Sequence, residues 1–201
     1  MPFFKKPILT KERIKALKNF RKGAIKALKH LQAKAEDDIS KEIYRRMIEN
    51  VKGTPVFFYP RKNMRENVFR AGNLVFASVV KGEHVNVLSV IQMGSQKFVV
   101  KSDYINMPAE HVFEGNRLSM QGIFTLAHEY AHFPKPALHL FAKRNRISFE
   151  QAEELLADTL SAKLAVEMGY PKELVLNHFE GRQLVYGRIP FKRFIWNAVN
   201  K

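Results

Sequence analysis

Apolar side chains recur at intervals of three and four residues over the first quarter of the chain. Between residue 11 and about residue 51 this spacing predicts helix. The stripe consists of Ile14, Leu17, Ala24, Leu28, Leu31, Ala35, Ile39, Ile43 and Met47. Thr10 is expected to cap the helix, and the polar residues 37–40 are expected to divide it in two. The Gly-Thr-Pro sequence at residues 53–55 should end it.

The pattern changes between residues 55 and 107, where β-branched and aromatic side chains dominate. Such runs are typical of short strands. The candidate strands are Val56–Tyr59, Leu74–Val80, Val85–Met93 and Lys97–Tyr104. Gly82 and Gly94 lie between consecutive runs and are hairpin signals. We therefore expect three or four strands that pair mostly antiparallel.

The helical spacing returns from Ser119 onward. One helix is expected to run from Ser119 or Met120 to His132, because Pro134 cannot continue it. Another should begin at Ser148, where the sequence Ser-Phe-Glu-Gln is a capping box. Helices before and after a small set of strands predict the α+β class.

Two divisions of the chain are expected, a basic N-terminal helical segment at residues 1–52 and a second domain at residues 53–201. The 201 residues are enough to bury a core without disulfides. There is no apolar run of the length that a membrane helix needs, and the first ten residues lack the apolar stretch of a secretory signal. We therefore expect a cytoplasmic protein. Because the chain has no cysteine, a bound metal must be held by His, Asp or Glu.

Residues 127–132 contain the pattern His-Glu-x-x-His. On a helix, His128 and His132 share one face, so both imidazoles can reach one metal ion. Glu129 lies beside them, where it can accept a proton from water that the ion activates. Chance gives about 0.02 such patterns in a chain of this composition. The apolar residues around the pattern indicate an interior helix, in which polar side chains need partners.

A third ligand is expected on the helix that begins at Ser148. A catalytic zinc site uses three protein ligands and leaves one position for water. Glu154 and Asp158 are four residues apart and therefore share a helix face. One carboxylate can complete a site of two histidines and a glutamate, and Asp158 can orient a histidine by accepting its distal N–H.

These motifs resemble those of the gluzincins, zinc metallopeptidases in which HExxH is followed by a glutamate on a later helix. The stretch Phe-Thr-Leu-Ala-His-Glu at residues 124–129 is similar to that of ImmA/IrrE-type peptidases and of minigluzincins. The resemblance extends over residues 97–170 and implies a zincin-like fold around one Zn²⁺ ion. The implied site consists of the ligands His128, His132 and Glu154, the general base and acid Glu129, and the supporting residue Asp158.

Two other carboxylates compete with Glu154 for the position of third ligand. Glu150 lies on the same helix face, and Glu153 is adjacent in sequence. Only Glu154 is followed by an aspartate four residues later, which favours it. The alternative interpretation is that these carboxylates form an exposed acidic helix face that binds no metal.

A metzincin site is excluded by the residues that follow His132. That site would need a glycine at position 135 and a histidine at position 138, and the chain has Lys135 and Leu138 there. His139 is one position out of register. It is interpreted as a polar residue on the following helix.

The remaining parts of a peptidase site are not assigned by a motif. A group that stabilises the oxyanion could be supplied by His178, Tyr186 or Tyr130. The predicted strand from Phe98 to Ile105 is expected to present an edge to an extended peptide substrate.

The formal net charge of +15 is concentrated at the N-terminus. Residues 1–30 hold ten basic side chains and one acid. The polar face of the first predicted helix carries Lys11, Lys15, Lys18, Lys22, Lys26 and Lys29. Three interpretations remain open. They are a solvated surface, salt-dependent binding of nucleic acid or another acidic partner, and docking on an anionic membrane or a partner helix.

Two hypotheses of function follow from the sequence. The first is a zinc-dependent endopeptidase that acts on peptide or protein substrates. The alternative is a nucleic-acid-associated regulatory protein, in which the basic helix binds DNA or RNA and the zinc domain is structural or cleaves one partner.

Overall fold

The structure, a computed structural model, describes residues 9–59, 78–80, 89–93, 96–100, 104–132, 138–180 and 191–200. The helices in these ranges are α1 (Lys11–Lys34), α2 (Asp38–Gly53), α3 (Ala109–Val112), α4 (Met120–Ala131), α5 (Leu138–Asn145), α6 (Phe149–Glu167), α7 (Lys172–Glu180) and α8 (Phe191–Asn200). The strands are β1 (Val56–Tyr59), β2 (Ser78–Val80), β3 (Ser89–Met93), β4 (Gln96–Val100), β5 (Tyr104–Pro108), β6 (Phe113–Glu114) and β7 (Arg117–Leu118). The described chain is therefore mostly helical with a few short strands, which agrees with the predicted α+β class.

The chain forms two compact units. The first contains Met1–Asn19 and Thr54–Ile123, and the second contains Phe20–Gly53 and Phe124–Lys201. The predicted N-terminal segment, residues 1–52, thus contributes to both units. Its separation from the rest of the chain as a domain stays a prediction.

The sheet of the first unit is built around β5. Strand β1 pairs with β5 in parallel, and β2 pairs with the other side of β5 antiparallel. Ile105 lies opposite Val56 on one side and Val79 on the other. Among the described strands the other pairings, β3 with β4 and β6 with β7, are antiparallel. The expectation of mostly antiparallel pairing is therefore confirmed, with β1 and β5 as the exception.

The hairpin signal at Gly94 is confirmed, since β3 and β4 pair antiparallel on either side of it. The expected edge strand from Phe98 to Ile105 is not one strand. Phe98 belongs to β4 and Ile105 belongs to β5, and β5 has a neighbour on both sides. The expectation was wrong for β5, because both rows of its backbone hydrogen-bonding groups face another strand.

The two N-terminal helices begin at local capping interactions. The backbone N–H of Arg13 donates to Thr10 Oγ1 at 3.2 Å, which confirms Thr10 as the cap of α1. The break between the helices lies at Asp37, whose Oδ1 accepts from the backbone N–H of Ser40 at 2.8 Å. The buried face of α1 consists of Phe20, Ala24, Ala27, Leu28 and Leu31. The predicted apolar stripe is thus confirmed in part, because Ala24, Leu28 and Leu31 are buried. Ile14 and Ile39 are exposed instead, with 40% and 51% of their surface accessible.

Helices α4 and α6 carry the residues of the candidate site. Ser119 caps α4 by accepting from the backbone N–H of Gly122 at 2.9 Å. The capping box predicted at Ser148 is confirmed, because Ser148 and Gln151 exchange side chain-to-backbone hydrogen bonds. Both helices are largely buried. Among the described residues, no helix combines the length and apolar character needed to cross a membrane.

Replacing Gly122 by alanine is expected to destabilise the first unit. A Cβ at this position would lie 2.3 Å from the carbonyl oxygen of Val112, which is backbone and cannot rotate away. The same oxygen accepts from the backbone N–H of Ser119 at 2.9 Å, so a shift would disturb the start of α4. We expect Gly122→Ala to lower the free energy of unfolding by about 1–3 kcal/mol in urea titrations.

The control for this prediction is Gly53→Ala, at the end of α2, where no atom lies within 4 Å of the added methyl. This change should leave the free energy of unfolding within about 1 kcal/mol of the wild type. Equal effects of the two substitutions would show that the close approach at Gly122 does not constrain the fold.

Candidate metal centre

Three side chains from α4 and α6 converge on one point. His128 lies on α4, and His132 directly follows the last residue of that helix, one turn further on. Their Nε2 atoms are 2.8 Å apart. Glu154 reaches them from α6. Its Oε2 lies 3.4 Å from His128 Nε2, and its Oε1 lies 3.3 Å from His132 Nε2. This group could therefore hold a metal ion.

The spacing of these atoms fits a zinc ion. Bonds of 2.0–2.1 Å in a tetrahedral zinc site separate neighbouring ligand atoms by about 3.3 Å. The two distances from the histidines to Glu154 have this length, and the distance between the histidines is somewhat shorter. A set of two imidazoles and one carboxylate suits zinc better than the oxygen-rich sites of calcium or magnesium.

Asp158 orients the first histidine. Its Oδ1 lies 2.7 Å from His128 Nδ1, and the whole residue is fully buried. A carboxylate at this distance accepts the Nδ1–H, so the lone pair of the neutral ring is on Nε2 and faces Glu154. The contact expected from the spacing of Glu154 and Asp158 is therefore present.

The carboxylates around His128 favour positive charge at the centre of the site. Burial is the largest influence on this imidazole, and by itself it lowers the pKa. The hydrogen bond and charge of Asp158, together with Glu154 and Glu129, outweigh it and raise the pKa of His128 to about 9. An environment that stabilises an imidazolium also stabilises a metal cation in the same position.

Glu129 is buried beside the two histidines, with 6% of its surface exposed. The adjacent residues His128 and Tyr130 are buried as well. A carboxylate in such surroundings needs a charged or polar function to offset its loss of hydration. Its charge acts on His128, which it follows in the chain. The role of Glu129 as a general base stays a prediction.

The competing carboxylates lie at other places on α6. Glu153 Oε1 is 3.6 Å from His132 Nδ1, the ring nitrogen that faces away from the point of convergence. Glu150 lies in the exposed first turn of α6, and the converging group does not include it. This geometry favours Glu154, whose assignment as third ligand stays a prediction.

Tyr130 faces away from the candidate site. Its hydroxyl accepts a hydrogen bond from Arg21 Nε at 3.0 Å, and its ring stacks on Phe20 of α1. Only 1% of the residue is exposed, and burial raises the pKa of Tyr130 despite the nearby guanidinium. Two residues along a helix are about 200° apart, so Tyr130 lies opposite both His128 and His132. Tyr130 is therefore unsuited to stabilise an oxyanion at this site.

Of the two other candidates for stabilising the oxyanion, the structure describes one. His178 lies on α7 with its ring centroid 4.2 Å from that of Phe124, which precedes His128 by one helical turn. Tyr186 lies outside the described residues. His139 is exposed on α5 and contacts Phe149, as expected for a polar residue of that helix. Assignment of His178 to the oxyanion stays a prediction.

Asn50 is a supporting residue that the sequence did not indicate. Its Nδ2 donates to the carbonyl oxygen of Tyr130 at 2.7 Å. This carbonyl belongs to the last turn of α4, where backbone acceptors have no partner within the helix. Asn50 of α2 therefore holds the end of α4, next to His132. An asparagine on an amphipathic helix gave no signal of this long-range contact.

Comparisons with protein-family models, curated proteins and solved structures find no match for this chain. The likeness to gluzincins therefore stays a prediction from the motifs.

Glu154 and Glu153 are expected to differ in their effect on metal affinity. Glu154→Gln should weaken zinc binding by at least about 100-fold, because it replaces an anionic ligand of a three-residue site. Glu153→Gln, one position away, should change the affinity by less than about threefold. Competition with a chromophoric chelator measures both values. The opposite order would assign the third ligand to Glu153.

Asp158→Asn should weaken zinc binding by about 10–100-fold, because the amide cannot replace the carboxylate that accepts the Nδ1–H of His128. Asp158 is fully buried, so the variant's fold must be checked by circular dichroism. A folded variant with unchanged zinc affinity would contradict the supporting role of Asp158.

Proposed function

We propose that this chain is a zinc-dependent endopeptidase. The observation that supports the proposal best is the convergence of His128, His132 and Glu154 beside the buried carboxylate of Glu129. A structural zinc site has four protein ligands and no need for a neighbouring base. In the part of the chain that the structure describes, three ligands converge and a carboxylate follows the first of them in the chain, which is the composition of a hydrolytic site.

Each residue of the site has a separate role in the proposed hydrolysis. His128, His132 and Glu154 would hold the ion. When bound, zinc would lower the pKa of a water molecule to about 7 and polarise the scissile carbonyl. Glu129 accepts the proton of the attacking water and delivers it to the leaving amine. Asp158 keeps the Nδ1–H of His128 in place, so the ring cannot rotate while charge develops.

The need for a proton donor favours an amide substrate. An amine is a poor leaving group unless it is protonated as the bond breaks, and Glu129 can return the proton that it accepted. The same residue therefore acts first as a base and then as an acid. Peptide and protein chains are the substrate class that this sequence of proton transfers fits.

Glu129→Gln is expected to abolish cleavage and to leave zinc binding intact. Glutamine has nearly the same shape but cannot accept the proton, so the rate should fall by at least about 100-fold. The zinc-loaded wild type and the variant are each mixed with a diverse peptide pool, and mass spectrometry identifies the cut bonds. Zinc content is measured on the same samples.

The matched control for this experiment is Glu173→Gln, an exposed glutamate on α7. It should retain every cut that the wild type makes. Cuts that persist in Glu129→Gln would contradict the proposed role of Glu129. A wild-type chain that binds no zinc would overturn the proposal as a whole.

A further inference from the structure

Six lysines form one continuous row along α1. Exposed lysines occur at positions 11, 15, 18, 22, 26 and 29 of this uninterrupted helix. At 100° per residue their directions fall within a sector of about 80°. From the first to the last, the row is about 27 Å long. We call these residues the lysine row.

The lysine row lacks the acidic partners that other helices of the chain have. On α2, Arg45 pairs with Glu42 at 2.6 Å, and Lys41 pairs with Asp38 at 3.6 Å. The hydrogen bonds of Arg45 and Arg46 lower the pKa of Glu42 to about 2. Within the described part of the chain, no member of the lysine row forms an ion pair. The row therefore presents uncompensated charge, in which successive lysines repel one another.

The arginines of the same helix point elsewhere and are used within the fold. Arg13 donates from Nε to the carbonyl oxygen of Gly115 at 2.8 Å and lies over the ring of Phe113. Arg21 donates to the hydroxyl of Tyr130. Lys34, in the last turn, lies 3.8 Å from Glu167 and is not part of the row. The two arginines and Lys34 thus have partners within the fold, and the six lysines of the row face solvent.

The apolar face of α1 is not available to a membrane. Phe20, Ala24 and Leu28 on that face are 5%, 0% and 0% exposed. An interfacial helix binds a bilayer by inserting its apolar face between the lipids. Because α1 uses that face in the protein core, only electrostatic attraction through the lysine row remains.

We propose that the lysine row binds the phosphate backbone of duplex nucleic acid without reading its sequence. A duplex carries about sixteen phosphates over an axial length of about 27 Å. Because each strand winds around the axis, the straight row can contact only the phosphates on the side of the duplex that faces α1. Lysines are point charges that contact phosphates without the geometry needed for base recognition. This inference is independent of the metal centre, and it adds a binding surface to the proposed peptidase.

The test compares two triple variants of equal charge. Lys22→Gln, Lys26→Gln and Lys29→Gln together remove half of the lysine row. Lys41→Gln, Lys52→Gln and Lys143→Gln remove three exposed lysines from α2 and α5. Binding to a mixed-sequence DNA duplex of about 24 base pairs is measured by fluorescence anisotropy between about 0.05 and 0.3 M salt. An RNA duplex of the same sequence distinguishes the two sources of phosphate.

The row variant should bind at least about tenfold more weakly than the wild type at 0.1 M salt. Its slope of log affinity against log salt should be shallower by up to about three, one for each lost phosphate contact. The control variant should stay within about threefold of the wild type. Both slopes should be independent of the base sequence of the duplex.

Three outcomes would overturn this inference. The wild type could fail to bind either duplex at the lowest salt, or the control variant could lose as much affinity as the row variant. The protein could also bind vesicles of phosphatidylserine and phosphatidylcholine and neither duplex. That result would show that the lysine row binds an anionic membrane. The measurement detects binding and not cleavage, so its failure leaves the proposed peptidase untouched.

Discussion

The hydrogen bond between His128 and Asp158 is the constraint on which the arrangement of the site depends. It joins α4 to α6 over 2.7 Å in an interior where Asp158 is fully buried. A buried carboxylate without such a partner would be strongly unfavourable, so the two helices must pack in this register. The same register brings Glu154, one turn before Asp158, against both histidines. One buried hydrogen bond thus fixes the tautomer of the neutral His128 ring and brings the carboxylate of Glu154 to face it.

The N-terminal helices belong to the architecture that supports this site. Arg21 of α1 and Asn50 of α2 both contact Tyr130, one at its side-chain hydroxyl and the other at its backbone carbonyl. Tyr130 lies between His128 and His132 in the chain but on the opposite face of α4. The contacts therefore hold α4 from behind and leave its histidine face toward α6. Through these residues, α1 and α2 brace the helix that carries the histidines.

Charge is distributed in opposite ways at the candidate metal centre and along the lysine row. Around His128, carboxylates are gathered in a buried place where the dielectric is low and a cation is strongly favoured. Along α1, lysines are exposed to solvent and are screened by salt. The first arrangement suits tight binding of a single ion. The second suits weak, salt-dependent attraction to an extended polyanion. The formal net charge of +15 is a sum over the whole chain. It therefore indicates neither the local excess of carboxylates around His128 nor the local excess of lysines on α1.

The sequence by itself determined the features that depend on neighbouring residues. Helix geometry is local, and it accounts for the caps at Thr10 and Ser148. It also places His128 and His132 on one face. Much of the sheet and of the site depends instead on contacts between distant residues. Tertiary packing decided the central place of β5, the approach of Glu154 to both histidines, and the direction of Tyr130 away from the site. Periodicity states which residues share a face, but only packing determines what that face meets.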